Sequence, residues 1–292
     1  MKHKISVGGL TFDIFNSLFM FLIFIIMFYP FLYVLNYSIS NSAKIGSSLL
    51  LIPVGLNFDN YKTLFMDPYI FRALFISVSR SVAGPALMLI ISGMAGYVLS
   101  KKDLVFGKFF RWSIFFTMYF NAGLIPGYLL SKTLGLTNNY LIYIIPQMVA
   151  VFNIVLIRAY IESLPSSMEE AARIDGANEF YVYWRVLFPV CLPVNAAVIL
   201  FSAINHWNDY ITTQIFNAMT PKLYTMQYLL YMTLSARLES LEEARSRFSN
   251  TTVTAQSLKM AITVVTVAPI LCVYPFLQRH FVSGLMVGAI KA

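Results

Sequence analysis

Residues 162–189 read ESLPSSMEEAARIDGANEFYVYWRVLFP and join two long apolar stretches. Ser166 and Ser167 follow Pro165, and Glu169 and Glu170 stand three residues after each serine. This is capping-box spacing, in which a serine hydroxyl and a glutamate carboxylate close the first turn of a helix on each other, so a helix is expected to begin here. Glu169 and Arg173 lie four apart and can pair on its surface. Gly176 suits a left-handed stop to that helix. Asn178 suits the cap of a second short helix, which is expected to end at Pro189. Ala171, Ala172 and Gly176 are small, so another chain can approach the backbone closely. The pattern alone fits two objects: an amphipathic helix lying in a membrane interface, and a docking element for a separate protein.

The rest of the chain settles the surroundings. Of 292 residues, 58% are hydrophobic and 12% charged, whereas a soluble domain is roughly half apolar and about a quarter charged. Disordered chains are poor in apolar residues, so disorder is excluded. An ordinary soluble enzyme is disfavoured because 25 Phe and 18 Tyr would overflow one soluble core. A net charge of +8 would point to nucleic acid in a soluble protein. In an apolar chain it reflects Lys and Arg flanking membrane spans, and no nucleic-acid partner is expected. Cys191 and Cys272 sit in apolar segments and read as packing residues. Neither they nor the scattered histidines form a disulfide or metal pattern. The apolar run after Met1-Lys2-His3-Lys4 lacks a small-residue cleavage site and reads as a first span rather than a removed signal.

A helical span needs about 20 mostly apolar residues. Six such runs are expected, near 12–39, 71–100, 108–130, 140–160, 189–210 and 258–278. Pro30, Pro85, Pro126, Pro146 and Pro269 fall inside them, as they do in helices whose neighbours satisfy the freed carbonyls. The connection with Lys101, Lys102, Lys108 and Arg111 is basic, as are the N-tail (Lys2, Lys4) and the C-tail (Arg279, Lys291). The connection after the third run holds only Lys132. Positive charge marks the cytoplasmic side, so both termini and residues 161–188 are expected there in a cytoplasmic membrane. The expected organisation is an N-tail over 1–11, an all-α integral membrane domain over 12–278 with outer loops at 40–70 and 211–257, and a C-tail over 279–292.

EEAARIDGA at 169–177 resembles the EAA loop of permease subunits of ABC importers, whose pattern is Glu-Ala-Ala, three residues, Gly, nine residues, then Ile, any residue, Leu-Pro. Here it runs Glu170-Ala171-Ala172, Gly176, then Val186, Leu187, Phe188 and Pro189, with Val186 and Phe188 departing conservatively. LIPVGLNFDNYKTLF at 51–65 resembles the first outer loop of sugar permeases of the MalG type. FNAGLIPGYLLSKTLGL at 120–136, SLKMA at 257–261 and PFLQRHFVSGLMVGAIKA at 275–292 are similar to the branch labelled LplC or YtcP. That branch handles complex oligosaccharides, including acidic ones, and the importers of alginate and pectin fragments are similar.

The resemblance implies the six-helix type I ABC importer permease fold (MetI/MalG-like). It implies that the EAA segment is a coupling helix seated in a groove of an ATP-binding subunit, with Glu169, Glu170, Ala171, Ala172, Asp175, Gly176 and Pro189 as coupling residues. It further implies a second homologous permease subunit, two ATP-binding subunits, an extracytoplasmic solute-binding protein and an oligosaccharide cargo. No cofactor is expected on this chain, and ATP and Mg are used by the partner ATPase. No Gly-rich phosphate loop followed by Lys-Ser/Thr is present, so energy is expected to arrive by contact as a rigid-body motion. Gly284 and Lys291 in the C-tail belong either to a solvated end or to the ATPase interface.

Polar residues in and beside the spans are the path candidates. Arg80 is deep in a span, where it lines a path and attracts an anionic sugar, or pairs with a carbonyl or with a carboxylate of the partner subunit. Asn121 and Asn153 are packing glue or path lining. Asn205, Trp207 and Asn208, within INHWNDY, suit sugar stacking and hydroxyl bonding, though Trp and Tyr serve equally as interfacial anchors. Met226, Leu229, Leu230, Thr233, Leu234 and Leu238 follow helical spacing. With Glu239, Glu242, Glu243, Arg237, Arg245 and Arg247 they fit an interfacial helix or a contact for the solute-binding protein. A secondary transporter would need intramembrane carboxylates, and Asp209 lies at a span edge rather than within a span. The catalytic set of a membrane enzyme is not visible. The same importer class with a non-sugar cargo is the remaining alternative.

Overall fold

The computed structural model describes residues 7–45, 50–235 and 253–289, with side chains at 11–45, 50–235, 253–273 and 275. Lys2, Lys4, Lys291 and the charged run 237–247 lie outside the described residues, as do the surroundings of Arg279 and Gly284. Among the described residues the chain is helical, apart from one antiparallel bridge between Ser40 and Leu56. The chain divides into two units, residues 1–67 with 232–267, and residues 68–231 with 268–292.

In the first unit, α1 (Val7–Ser38) holds an apolar stretch of 28 residues from Thr11, and the most apolar 18 residues of it include none that is buried. Such a surface suits lipid and not water. Its far end is pinned by small polar side chains. Asn36 Nδ2 donates to the Leu50 carbonyl (3.1 Å), and Ser40 Oγ donates to the Asn36 carbonyl (2.6 Å). Asn60 of α2 (Asp59–Met66) donates to the Ser38 carbonyl (2.8 Å) and accepts from Ser257 Oγ (2.7 Å). These buried groups satisfy one another, as buried polar atoms must.

The second unit is built on α3 (Pro68–Ser100), which crosses Pro85 unbroken. After α4 (Gly107–Thr117) and α5 (Leu124–Thr133) come two 3₁₀ turns, Tyr140–Tyr143 and Ile145–Gln147, then α6 (Val151–Glu162). Next are α7 (Ser167–Ile174), α8 (Glu179–Tyr181), a π-helical turn (Val182–Leu187) and α9 (Phe188–Val190). They are followed by α10 (Leu192–Asn208) and α11 (Ile211–Phe216), while α12 (Met226–Ser235) and α13 (Ala255–Ala289) each have residues in both units. α6 and α10 pack along α3. Their shared core holds Met88, Leu89 and Tyr97 of α3, Ile157 and Ile161 of α6, and Val194 and Val198 of α10.

Glycines in α3 set the approach distance. A Cβ on Gly84 would run into the His206 ring, and one on Gly93 into the Tyr183 hydroxyl. A Cβ on Gly96 would stand 3.2 Å from the Ile154 carbonyl oxygen and the Arg158 nitrogen, which are backbone atoms of α6. Small residues that let backbones close up are a general means of holding helices together in lipid.

Three described helical stretches are long and apolar enough to cross a membrane, Thr11–Ser38, Pro68–Ser100 and Ala255–Val273. There are up to five if two bent pairs count as single spans. The expected run 108–130 is not one helix. α4 stops at Thr117, and the Asn121 side chain accepts the Gly123 N–H (2.9 Å) in a turn where Gly123 takes φ +88°. Pro126 then sits in the first turn of α5, where a missing N–H costs nothing. The fourth run bends by 44° between Gln147 and Val151, just after Pro146. The fifth bends by 82° at Cys191, between Pro189 and Pro193, so its straight part begins at Leu192. The sixth continues through Pro269 and Pro275 to Ala289, and no helix end marks the expected start of the C-tail at 279.

The glycine notch is testable. Gly96→Val presses on α6 backbone that cannot swing aside, and is expected to cost about 1–3 kcal/mol. The readout is a lowered unfolding temperature in detergent. Gly127→Ala, where nothing lies within 4 Å of the added Cβ, is expected to leave that temperature unchanged or raise it.

Candidate functional site

The EAA segment forms a helix, a left-handed stop and a second helix start, but not by the expected capping box. Ser166 already has helical backbone angles (φ −60°, ψ −27°), and its side chain caps nothing. The Glu169 and Glu170 N–H groups instead bond the Ser166 carbonyl (3.0 and 3.1 Å). The Glu169 carboxylate is held by Lys101 and does not reach back over the first turn.

The helix end follows the sequence. Gly176 takes φ +82°, its N–H bonds the Arg173 carbonyl, and the Ala177 N–H bonds the Ala172 carbonyl, both at 3.0 Å. That pair of bonds is the Schellman closure, which needs a left-handed residue at its centre. Asn178 Oδ1 then accepts the Tyr181 N–H (2.8 Å) and caps the second helix as expected.

No residue of α7 is buried. Glu170, Ala171, Asp175 and Gly176 are exposed, and Ile174 is 86% exposed. Ala172 instead packs against the chain's own core, alongside Ala177, Trp184 and Phe188. Of the small residues expected to admit another chain, Ala171 and Gly176 face outward and Ala172 does not. Pro189 is exposed at the bend before α10.

The other carboxylates of the segment point to the end of α3. The Lys101 ammonium pairs with Glu169 and lies 3.4 Å from Glu179. Tyr97 donates its hydroxyl to Glu179 (2.5 Å). Arg173 lies 2.8 Å from Glu179 but 3.8 Å from Glu169, so the expected Glu169–Arg173 pair is the looser contact. The Lys101 ammonium also sits 4.0 Å from the Tyr97 ring centroid, a cation–π contact. Sequence reasoning took Lys101 only as a topology charge, and no local pattern joins residues 68 apart.

The path candidates have separate surroundings. The Arg80 side chain is fully enclosed, bonds Asp209 at 2.9 Å and stands 4.5 Å from the Tyr143 ring centroid. Its carboxylate therefore comes from this chain and not from a partner subunit, and its guanidinium faces no open path. A charge in apolar surroundings has to be paired, and the α3–α10 packing delivers Asp209 just past the end of α10. Trp207 is buried and lines an apolar cavity of about 200 Å³ with Val78, Leu200 and Pro269, so it does not sit at the surface as an anchor. Asn153 donates to the Met88 sulfur (3.2 Å), while Asn205 and Asn208 are exposed. Asn121 lines a different cleft, about 370 Å³, with Ser131, Gln147, Thr212 and Phe216. Among the described residues no group of His, Cys, Asp or Glu is arranged to hold a metal ion.

The family model for binding-protein-dependent transport system inner membrane components matches residues 104–287. The chain is 32% identical over 279 residues to the polygalacturonan/rhamnogalacturonan transport system permease protein YtcP of Bacillus subtilis strain 168, covering 95% of this chain and 96% of that one. It is 32% identical over 285 residues to protein LplC of the same organism, covering 97% and 96%. Among solved structures it resembles a chain of a bacterial ABC transporter involved in the import of the acidic polysaccharide alginate. That likeness has a TM-score of 0.87 and 32% identity, and covers 94% of this chain and 98% of that one.

The stop at Gly176 should tolerate little else. Gly176→Ala forces a left-handed Cβ residue and is expected to cost about 1–2 kcal/mol, read as faster hydrogen exchange across 167–177. Gly176→Asn, a side chain that tolerates this conformation, is expected to stay closer to wild type.

Proposed function

The chain belongs to the family of binding-protein-dependent transport system inner membrane components, and we propose that within it this is the permease subunit of an ATP-driven oligosaccharide importer. The observation that carries the reading is the EAA helix, presented outward with Glu170, Ala171, Ile174 and Asp175 exposed and closed at Gly176. Full-length likeness to the YtcP permease supports the saccharide cargo. Together with the alginate transporter it favours acidic, polyuronide-type oligosaccharides. The net charge of +8 is compatible with an anionic cargo.

In this reading both termini and the EAA helix are cytoplasmic, in keeping with the basic connection at 101–111. Two ATP-binding subunits receive the EAA helices of this chain and of a second, homologous permease, and the two permeases together enclose the path. A solute-binding protein delivers the saccharide from outside. The chain itself is non-catalytic. ATP and Mg act in the partner subunits, and their closure rocks the permeases between two packed arrangements. Glu170, Ala171, Asp175 and Gly176 form the contact face, whereas Glu169 and Ala172 serve the chain's own packing.

The test is ATPase stimulation of the reconstituted complex by its loaded binding protein, across neutral and acidic oligosaccharides. Stimulation by uronate oligomers and not by neutral ones is expected. Failure of every saccharide to stimulate would reject a sugar cargo.

A further inference from the structure

We propose that Tyr97 and Lys101 are positioning residues that clamp the EAA helix to the end of α3, so that the two move as one body and α3 carries the ATPase stroke across the membrane. The proposal rests on the coupling role assigned above.

The first argument is how little else holds α7. It is eight residues long and none of them is buried. Burial of apolar area fixes most surface helices in place, and here that contribution is small. Ala172 and Ala177 touch the core, and the Schellman turn fixes the local bend. That packing sets α7 on the π-helical turn, and the charged groups add the tie to α3, on whose end they converge. Glu169 comes from α7 and Glu179 from the start of α8, and one ammonium, Lys101, serves both. Tyr97, one turn back, donates to Glu179 and supplies the ring beneath the ammonium.

The second argument is what kind of ion pair this is. An isolated exposed pair contributes little, because solvent screens it and two long side chains must be ordered. Here the side chains of Lys101 and Glu169 are only 14% and 20% exposed. Lys101 is part of a network that spans α3, α7 and α8, and Arg173 closes it on the far side of Glu179. The geometry also divides the two adjacent glutamates. Glu169 turns to its own chain, and Glu170 is left exposed for a partner.

The third argument is where α3 leads. It runs unbroken from Ser100 to Pro68, and its other half is tied by polar contacts to elements that lie on the outer side in this reading. Ser77 accepts the Met226 N–H (2.8 Å), Tyr140 donates to Ser79 (2.9 Å), and Arg80 pairs with Asp209. A displacement applied at α7 therefore enters α3 at Lys101 and leaves it through Ser77, Ser79 and Arg80.

The experiment compares Lys101→Met, Lys101→Arg and Tyr97→Phe in the assembled transporter. One readout is saccharide imported per ATP hydrolysed in proteoliposomes. The other is hydrogen exchange at amides 168–174, which needs no cargo. Lys101→Met is expected to lower the import ratio about tenfold, within the usual range of coupling free energies, and to speed exchange. Lys101→Arg keeps the charge and is expected to stay near wild type in both. Tyr97→Phe removes one hydroxyl and is expected to fall between, which keeps the test open if Lys101→Met does not assemble. A wild-type ratio and wild-type exchange in Lys101→Met, or in Tyr97→Phe should that variant alone assemble, overturn the clamp. So does an Arg variant as impaired as the Met variant. If no saccharide drives even the wild-type complex, the cargo assignment fails while the exchange readout still decides the clamp.

Discussion

A helix surrounded by lipid gains nothing by hiding apolar side chains from a medium that is itself apolar. It must hold its neighbours by close contact and by polar groups that have no other partner. α3 meets that constraint along its length. Gly84, Gly93 and Gly96 remove the side chains that would keep His206, Tyr183 and the α6 backbone away. Polar contacts then fix both ends, Arg80 with Asp209 in one half and Lys101 with Glu169 just past the other. The bends in the neighbours follow, because α10 can lie along α3 only after the chain has turned sharply at Cys191 between two prolines.

Much of this was legible in the sequence wherever local chemistry decides the outcome. Gly176 and Asn178 behave as their residue types require, since a left-handed stop and a side-chain cap depend on only a few neighbouring atoms. Long apolar runs identified α1, α3 and α13. Hydropathy hid the breaks, because Gly123, Pro146 and Pro189 raise no polar signal inside an apolar run while the backbone still turns there. The capping box failed for a related reason. Its spacing is local, but the Glu169 carboxylate was claimed by a lysine 68 residues away. Arg80 stood out as an intramembrane charge that either lines a path or is paired, and Asp209, 129 residues on, was identifiable as its partner only once α3 and α10 had been packed together.

The same division bears on function. The EAA pattern is shared between two tasks: one set of its residues faces outward, and the other, Glu169 and Ala172, is used inside the chain. A motif read as a single docking surface is therefore also a joint. The π-helical turn at Val182–Leu187 places Tyr183 and Trp184 under that joint, against the same core that receives Ala172. In the proposed reading, force applied to the exposed face thus meets a supported helix rather than a free loop.

Whether α3 and α7 travel together is measured most directly by pulsed electron paramagnetic resonance. Spin labels at exposed Val82 and Ser167 would be followed in the assembled transporter, before and after ATP closes the ATPase subunits. The account predicts one distance distribution in both states. A distribution that shifts on ATP binding would show the EAA helix moving against α3, and would contradict it.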